Sequence, residues 1–302
     1  MPHRMLVTDL DGTLLNRKGE VSEANANAIA RAREHGIEVV IATGRSWVEC
    51  HDLVRSVVPD GHAITAGGAA LHDVASGECR DSIPISHDLV AHCTESLLRH
   101  GHLAHLLKDP HRAGFDYLLV GDASLDDASR WWFSIHPLST RSALTLDGFD
   151  GGREAALANV LRVGTVAPAT ALADVTAAIR SEVGERLAIK HWPALVALGT
   201  AGIETHLLEI FDASVDKWSM VVRLCARLGV SPTEVVTVGD GLNDVGMLQG
   251  AGLSFAVANA EADVAKASVR RAPDHDDDAL AFVVDELLSG GRGVPGPTRA
   301  GQ

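Results

Sequence analysis

Between Met5 and Ala66 three short apolar runs alternate with two longer segments of helical character. The runs are Met5-Leu6-Val7-Thr8, residues 37–42 and residues 62–66. A strand that is apolar throughout, rather than at every second position, belongs in a parallel sheet covered on both faces. Strand, helix, strand, helix, strand therefore predicts a doubly wound α/β layer. The punctuation agrees. Ser22 is placed to N-cap a helix over 23–35, with Asn25 rather than Glu at the third position, and Gly36 suits its stop. A second helix follows Thr43-Gly44-Arg45-Ser46 and runs to about residue 58. Pro59-Asp60-Gly61 then turns the chain into the third strand.

The chain has 302 residues, more than one ordinary core, so two domains are expected. After Pro84 the pattern becomes more mixed. Helices are read over 88–100 and 171–183, with a helical patch near Trp131. Strands are read over 103–107, 117–120, 160–166, 187–190 and 195–198. The glycines between 143 and 154 predict a mobile loop. The first pattern resumes near Gly202. A helix over 216–228 carries Trp218, Val221, Val222 and Cys225 as its stripe. Ser231-Pro232-Thr233-Glu234 is a capping box ahead of a strand over 235–238. A helix to Gly250, a strand over 254–257 and a helix over 278–288 close the pattern. The expectation is a parallel-sheet α/β core formed by residues 1–83 and 202–290, an inserted α+β lobe over 84–201, and a disordered Gly/Pro-rich tail over 291–302.

The formal charge of -14 argues against a nucleic-acid partner, which needs a basic face, and would welcome a cation. Four cysteines without a CxxC pair read as buried thiols in a reducing cytoplasm. No apolar run reaches the length of a membrane span, and the first strand is too short for the apolar region of a signal peptide.

Chemistry gathers where the core strands end. The first strand runs into Asp9-Leu10-Asp11-Gly12-Thr13-Leu14, the second into Thr43-Gly44-Arg45, and the strand over 235–238 into Gly239-Asp240-Gly241-Leu242-Asn243-Asp244. Ligands of open α/β sheets bind at strand carboxyl ends. Carboxylates that meet there repel unless a cation neutralises them, and an all-oxygen set suits Mg²⁺ better than zinc. A hydroxyl, helix N-terminal N–H groups and the Lys217 ammonium suit a phosphate. Metal, phosphate and a further carboxylate together describe phosphoryl transfer through an aspartyl-phosphate.

These three stretches and Lys217, in chain order with an insert between Thr43-Gly44-Arg45 and Lys217, resemble the four motifs of the haloacid dehalogenase superfamily, in its Cof-type branch of sugar-phosphatase-like hydrolases. The resemblance covers the core, and the insert sits where that family carries its C2 cap. It implies that Asp9 attacks phosphorus, and that Asp11 protonates the leaving alcohol and then activates water. Asp11 must carry a proton when the ester breaks, which a crowd of carboxylates favours. It also implies that Thr43, Gly44, Lys217 and the backbone N–H groups of Leu10 and Asp11 hold the phosphoryl oxygens. Asn243 would orient Lys217 or phosphate. Asp9, the Asp11 carbonyl, Asp240 and Asp244 would hold Mg²⁺. Two departures stand out. Family members commonly carry Asn-Gly-Ala after the third strand, where this chain has Gly67-Gly68-Ala69. Trp218 follows Lys217 where Gly is usual, and reads as packing.

Other residues are given plainer readings. His100, His102 and His105 lack ligand spacing and read as surface histidines. Trp131-Trp132-Phe133 reads as packing within the insert, with a lid over substrate as the alternative. Arg45 either pairs with an acidic neighbour or reaches phosphate. Asp276-Asp277-Asp278 reads as a helix N-terminus. The reading is thus a Mg²⁺-dependent cytoplasmic phosphatase of a small phosphorylated metabolite, such as a sugar phosphate. The alternatives are a phosphomutase and a non-catalytic phosphometabolite sensor. No nucleic-acid or membrane partner is expected, and a homo-oligomer stays open.

Overall fold

The computed structural model describes residues 3–193 and 205–290. The expected strand over 195–198 and the tail over 291–302 lie outside the described residues. Two sheets organise the rest. The first has eight strands, in the spatial order Arg270–Arg271, Leu253–Ala256, Val235–Gly239, Met5–Thr8, Glu38–Ala42, His62–Thr65, Ala70–Asp73, Cys79–Ser82. The first six are parallel, and the last two form an antiparallel edge that sequence reading did not anticipate.

Side-chain alternation along Met5–Thr8 decides the layering. Leu6 enters one apolar cluster with the helices Glu23–Glu34 and Ala279–Leu288. Met5 and Val7 enter another, with the helix Lys217–Leu228. Both faces are covered, as the continuous apolar runs required. Ser22 caps its helix by accepting the Asn25 N–H at 3.1 Å. The Ser231–Glu234 capping box forms and leads into Val235–Gly239. On Lys217–Leu228 the buried stripe is Met220, Val221, Leu224 and Cys225, whereas Val222 is 40% exposed, which corrects the expected stripe. Trp218 packs against the same cluster.

The second sheet has six strands, in the order Leu187–Pro193, Thr205–Asp212, Val160–Pro168, Ala104–Lys108, Tyr117–Val120, Thr140–Ala143. Thr205–Asp212 pairs with two of these strands, from Thr205↔Pro168 and from Leu187↔Asp212. The lobe therefore extends through Asp212, and the expected boundary at 202 falls too early. The helices His87–Arg99 and Ala169–Val183 cover one face, meeting Leu106, Leu118, Val163, Leu208 and Ile210. The expected loop over 143–154 joins this packing. Leu146 and Phe149 are buried there, and the segment leads into the helix Gly152–Leu157. Lys108 is fully buried and donates to the carbonyls of Ala155, Ala156 and Ala158 at 3.2, 2.5 and 2.7 Å, satisfying the end of that helix.

His72, on the antiparallel edge, stacks on Trp47 with ring centroids 4.9 Å apart. Burial pulls its pKa down to about 4. The unfolded chain takes up this proton near pH 6.5, and the folded chain resists it. The stabilisation is therefore complete above pH 6.5 and is lost as pH falls toward 4, by on the order of 3 kcal/mol. Urea titrations at pH 7 and pH 4.5 are expected to show a smaller acid-induced loss of stability in His72→Phe than in wild type.

Candidate active site

The first sheet changes direction beside Met5–Thr8. From there the chain builds outward through Glu38–Ala42 on one side and, later, through Val235–Gly239 on the other. Thr8 and Val238 are register partners, so Asp9 and Asp240 emerge side by side at the carboxyl edge. A crevice at such a reversal is where open α/β sheets hold ligands.

One turn then shapes the site. Leu10–Leu14 is a single wide helical turn broken at Gly12, whose φ is +77°. A Cβ at Gly12 would lie 2.5 Å from Asp240 Oδ2, so only glycine lets the turn press against that carboxylate. Thr13 Oγ1 donates to Asp240 Oδ1 at 2.8 Å, and Asn259 Nδ2 donates to the Gly12 carbonyl at 2.7 Å. The carboxylates of Asp9, Asp240 and Asp244 converge, each with an oxygen within 4.8 Å of the others.

Lys217 enters from the opposite side as the first residue of its helix. It is fully buried and donates to Asp9 Oδ1 and, at 2.7 Å, to Asp244 Oδ1. Burial opposes its charge, but Asp244 and Asp9 outweigh that and raise its pKa above that of a free lysine. Asp244 Oδ2 accepts the backbone N–H groups of Asp240 and Gly241, both at 3.0 Å. Both Asp244 oxygens are thus engaged in holding Lys217 and the loop. Burial pushes the Asp9 carboxyl well above the usual carboxylate range; Lys217 pulls it down, while Asp244 and Asp240 add to the rise. Asp240 is raised for the same two reasons, burial and Asp244. This all-oxygen set, with Asp9 and Asp244 buried, Asp240 half-buried and one lysine among the three carboxylates, fits a divalent cation such as Mg²⁺.

Asp11 does not join that group. Its carboxylate faces Arg45, which donates Nε to Oδ2 at 2.9 Å and Nη2 to Oδ1 at 2.5 Å, a two-pronged ion pair. Arg45 therefore has the acidic partner that the sequence allowed for. Thr43 is buried, and its Oγ1 accepts the Arg45 N–H at 3.1 Å. Gly44, Arg45 and Asn243 line the same cleft as Asp9, Asp11 and Asp240. Lys217 donates its hydrogen bonds to the two carboxylates, and among the described residues none joins it to Asn243. Asp276 and His275 tie down the loop after the opening turn, through the Arg17 N–H at 2.7 Å and the Leu15 carbonyl at 2.8 Å.

The cleft continues upward into the second lobe, as a cavity of about 380 Å³. Its roof is the uncovered face of the second sheet, carrying His105, Tyr117, Arg162, Lys190, Glu209 and Phe211. His105 is 7% exposed, so it is not a surface histidine, and burial pulls its pKa down to about 4. Trp132 and Phe133 line the cavity too, and Phe133 packs on the Tyr117 and His105 rings of its own lobe, with ring centroids 5.3 and 5.7 Å apart, as the packing reading expected. Sequence reading missed Arg162 and Glu209. The signal was present as a charged residue inside each of two apolar strands, Leu161-Arg162-Val163 and Leu208-Glu209-Ile210. Gly67 stands where the motif's Asn was missing and lines the cleft, with Phe211 3.6 Å from where its Cβ would be.

A family model described as haloacid dehalogenase-like hydrolase matches residues 6–284. The chain is 24% identical to the 5-amino-6-(5-phospho-D-ribitylamino)uracil phosphatase YwtE of Bacillus subtilis, covering 95% of this chain and 99% of that protein. It is 25% identical to the pyridoxal phosphate phosphatase YbhA of Escherichia coli, covering 95% and 100%. The crystal structure of a haloacid dehalogenase-like hydrolase from Bacteroides thetaiotaomicron superposes with a TM-score of 0.76 at 22% identity, over 94% of this chain and 99% of that one.

Gly68 has φ +107°, and a Cβ there would lie 2.0 Å from the Asp216 carbonyl oxygen, one residue before Lys217. Gly68→Ala is expected to destabilise the protein by about 2–4 kcal/mol in urea denaturation. Whatever fold survives should show Lys217 displaced, read as a weakened grip on inorganic phosphate in calorimetry.

Proposed function

The chain belongs to the haloacid dehalogenase-like hydrolases, and from that premise we propose that it is a Mg²⁺-dependent phosphomonoester hydrolase working through an aspartyl-phosphate on Asp9. It is a phosphatase of small phosphorylated molecules, as its relatives are named to be. The observation that carries the finer reading is the placement of Asp9: buried at the sheet's reversal, bonded to Lys217, and beside Asp240 and Asp244.

Asp9, the Asp11 carbonyl and Asp240 would hold Mg²⁺, with Asp244 fixing the loop that carries Asp240. Bound there, the cation would offset the negative charge of carboxylates and phosphate. Lys217, Thr43 and the N–H groups of Leu10 and Asp11 orient the phosphoryl group in line with Asp9. An Asp9 carboxylate oxygen then bonds to phosphorus as the ester P–O bond breaks. The departing alkoxide takes its proton from Asp11. In the second half Asp11 accepts a proton from water, whose oxygen bonds to phosphorus. The Asp9–phosphorus bond breaks, releasing phosphate and restoring the Asp9 carboxylate.

For Asp11 to serve, its bond to Arg45 must loosen, and an arriving phosphate offers the guanidinium another anion. The cavity above the site suits a leaving group of metabolite size, a sugar phosphate or a phosphorylated heterocycle. A cytoplasmic setting is consistent with the four cysteines, all buried free thiols, and among the described residues no helix is long and apolar enough to cross a membrane.

Phosphate release from a panel of phosphomonoesters is expected to require Mg²⁺ and to fall by about 10³-fold or more in Asp9→Asn. No release by folded protein with Mg²⁺ present would overturn the reading in favour of a mutase or a sensor, separated by a bisphosphate-activated transfer assay. Asp11→Asn is expected to slow turnover by about 10²–10⁴-fold. With p-nitrophenyl phosphate, whose leaving group needs no acid, it should still give a burst of one nitrophenolate per enzyme before the slow hydrolytic phase.

A further inference from the structure

Glu49 belongs to the core, on the helix Trp47–Val57, yet its carboxylate faces the second lobe. It is 7% exposed. One oxygen, Oε1, accepts two hydrogen bonds from across the cleft: Trp132 Nε1–H at 2.8 Å and the Tyr117 hydroxyl at 3.0 Å. The other, Oε2, accepts the Ser46 backbone N–H at 2.7 Å. Ser46 directly follows Thr43-Gly44-Arg45, the turn that carries the phosphate-side hydroxyl and the partner of Asp11. The Tyr117 hydroxyl in turn accepts Arg162 Nη2 at 2.7 Å, and Arg162 pairs with Glu209 on the neighbouring strand. Glu49, Trp132, Tyr117, Arg162 and Glu209 all line the cavity above Asp9.

We propose that Glu49 is a positioning residue: it latches the second lobe over the cleft with one carboxylate oxygen and holds the Thr43-Gly44-Arg45 turn with the other. This rests on the phosphatase reading of the site. A buried carboxylate between two lobes is an expensive contact, and apolar packing of the same volume would hold them at least as well. What the carboxylate adds is linkage. Oε2 closes the capping box of its own helix next to the phosphate turn, and Oε1 takes the second lobe's donors, so one carboxylate joins the turn to the closed lobe. When the lobes part, the same anion rehydrates, which keeps the closed form from being locked. Burial opposes the charge of Glu49, but Arg162 and the Trp132 and Ser46 hydrogen bonds hold its carboxyl below the usual range, in keeping with an anion in the closed form.

The test compares full-length wild type with Glu49→Gln, Tyr117→Phe, the double variant and Trp132→Phe. Glutamine offers one acceptor oxygen, so it can serve Ser46 or the second lobe but not both. With a metabolite-sized ester that wild type hydrolyses, Glu49→Gln is expected to lower kcat/KM about 10- to 100-fold, chiefly in kcat. Tyr117→Phe should lose less, and the double variant should match Glu49→Gln within about twofold, because both remove one link. Small-angle scattering without substrate should show a larger radius of gyration for Glu49→Gln and for Trp132→Phe, the latter leaving the Ser46 bond intact. Unchanged kinetics and radius in Glu49→Gln, or additive losses that track only urea stability, would overturn the latch. Should wild type hydrolyse no ester, the phosphatase reading fails, and the scattering comparison still decides the latch.

Discussion

Like charges forced together are the constraint on which the rest of this structure depends. Asp9, Asp240 and Asp244 converge in a buried space with a single ammonium, Lys217, between two of them. Such a group is tolerable only if each anion is held by donors or offset by cations. The local fold supplies the donors. Thr13 serves Asp240, two loop N–H groups serve Asp244, and Lys217 bridges the two halves of the core. Three carboxylates against one ammonium leave the site negatively charged. On the proposed reading, a bound metal ion would relieve the tension that folding built in.

Close backbone approach makes that convergence possible. Gly12 lets the opening turn lie against Asp240, and Gly68 lets the third strand's exit lie against the residue before Lys217. These contacts bring segments far apart in sequence, at residues 12 and 240 and at residues 68 and 216, to within van der Waals range. The departure from the familiar Asn at position 67 belongs to the same region. With Gly67 in place Phe211 reaches toward the turn, and the second lobe meets the core through an aromatic ring where a polar amide would otherwise stand.

The second lobe shows how one sheet serves two purposes. Along Thr205–Asp212, Leu208 and Ile210 point to the helices while Leu207, Glu209 and Phe211 point to the cleft. A period of two distributes apolar residues to the packed face and charged or aromatic residues to the roof of the cavity. The roof is therefore built on a sheet, and the helix Asp127–Ile135 adds Ala128, Ser129, Trp132 and Phe133 to the lining. Three of its polar groups, Tyr117, Arg162 and Glu209, are bonded in a chain that ends on Glu49 of the core.

The sequence alone determined the parallel core, its helix caps and the residues that converge on its crevice. Those features are local or periodic. An apolar run, a capping serine or an acidic pair after a strand announces itself within a few residues. Thr205–Asp212 was the limiting case: its residues read as a return to the core, and only strand pairing with Val160–Pro168 assigned it to the second lobe. The buried place of His105, the turning of Asp11 to Arg45 and the bridge from Glu49 to Trp132 and Tyr117 were likewise decided by tertiary structure alone. Each joins residues 34 to 83 positions apart or depends on which face of a sheet looks into the cleft. No local pattern encodes such a meeting, because it exists only once two lobes with separate cores have been packed against each other.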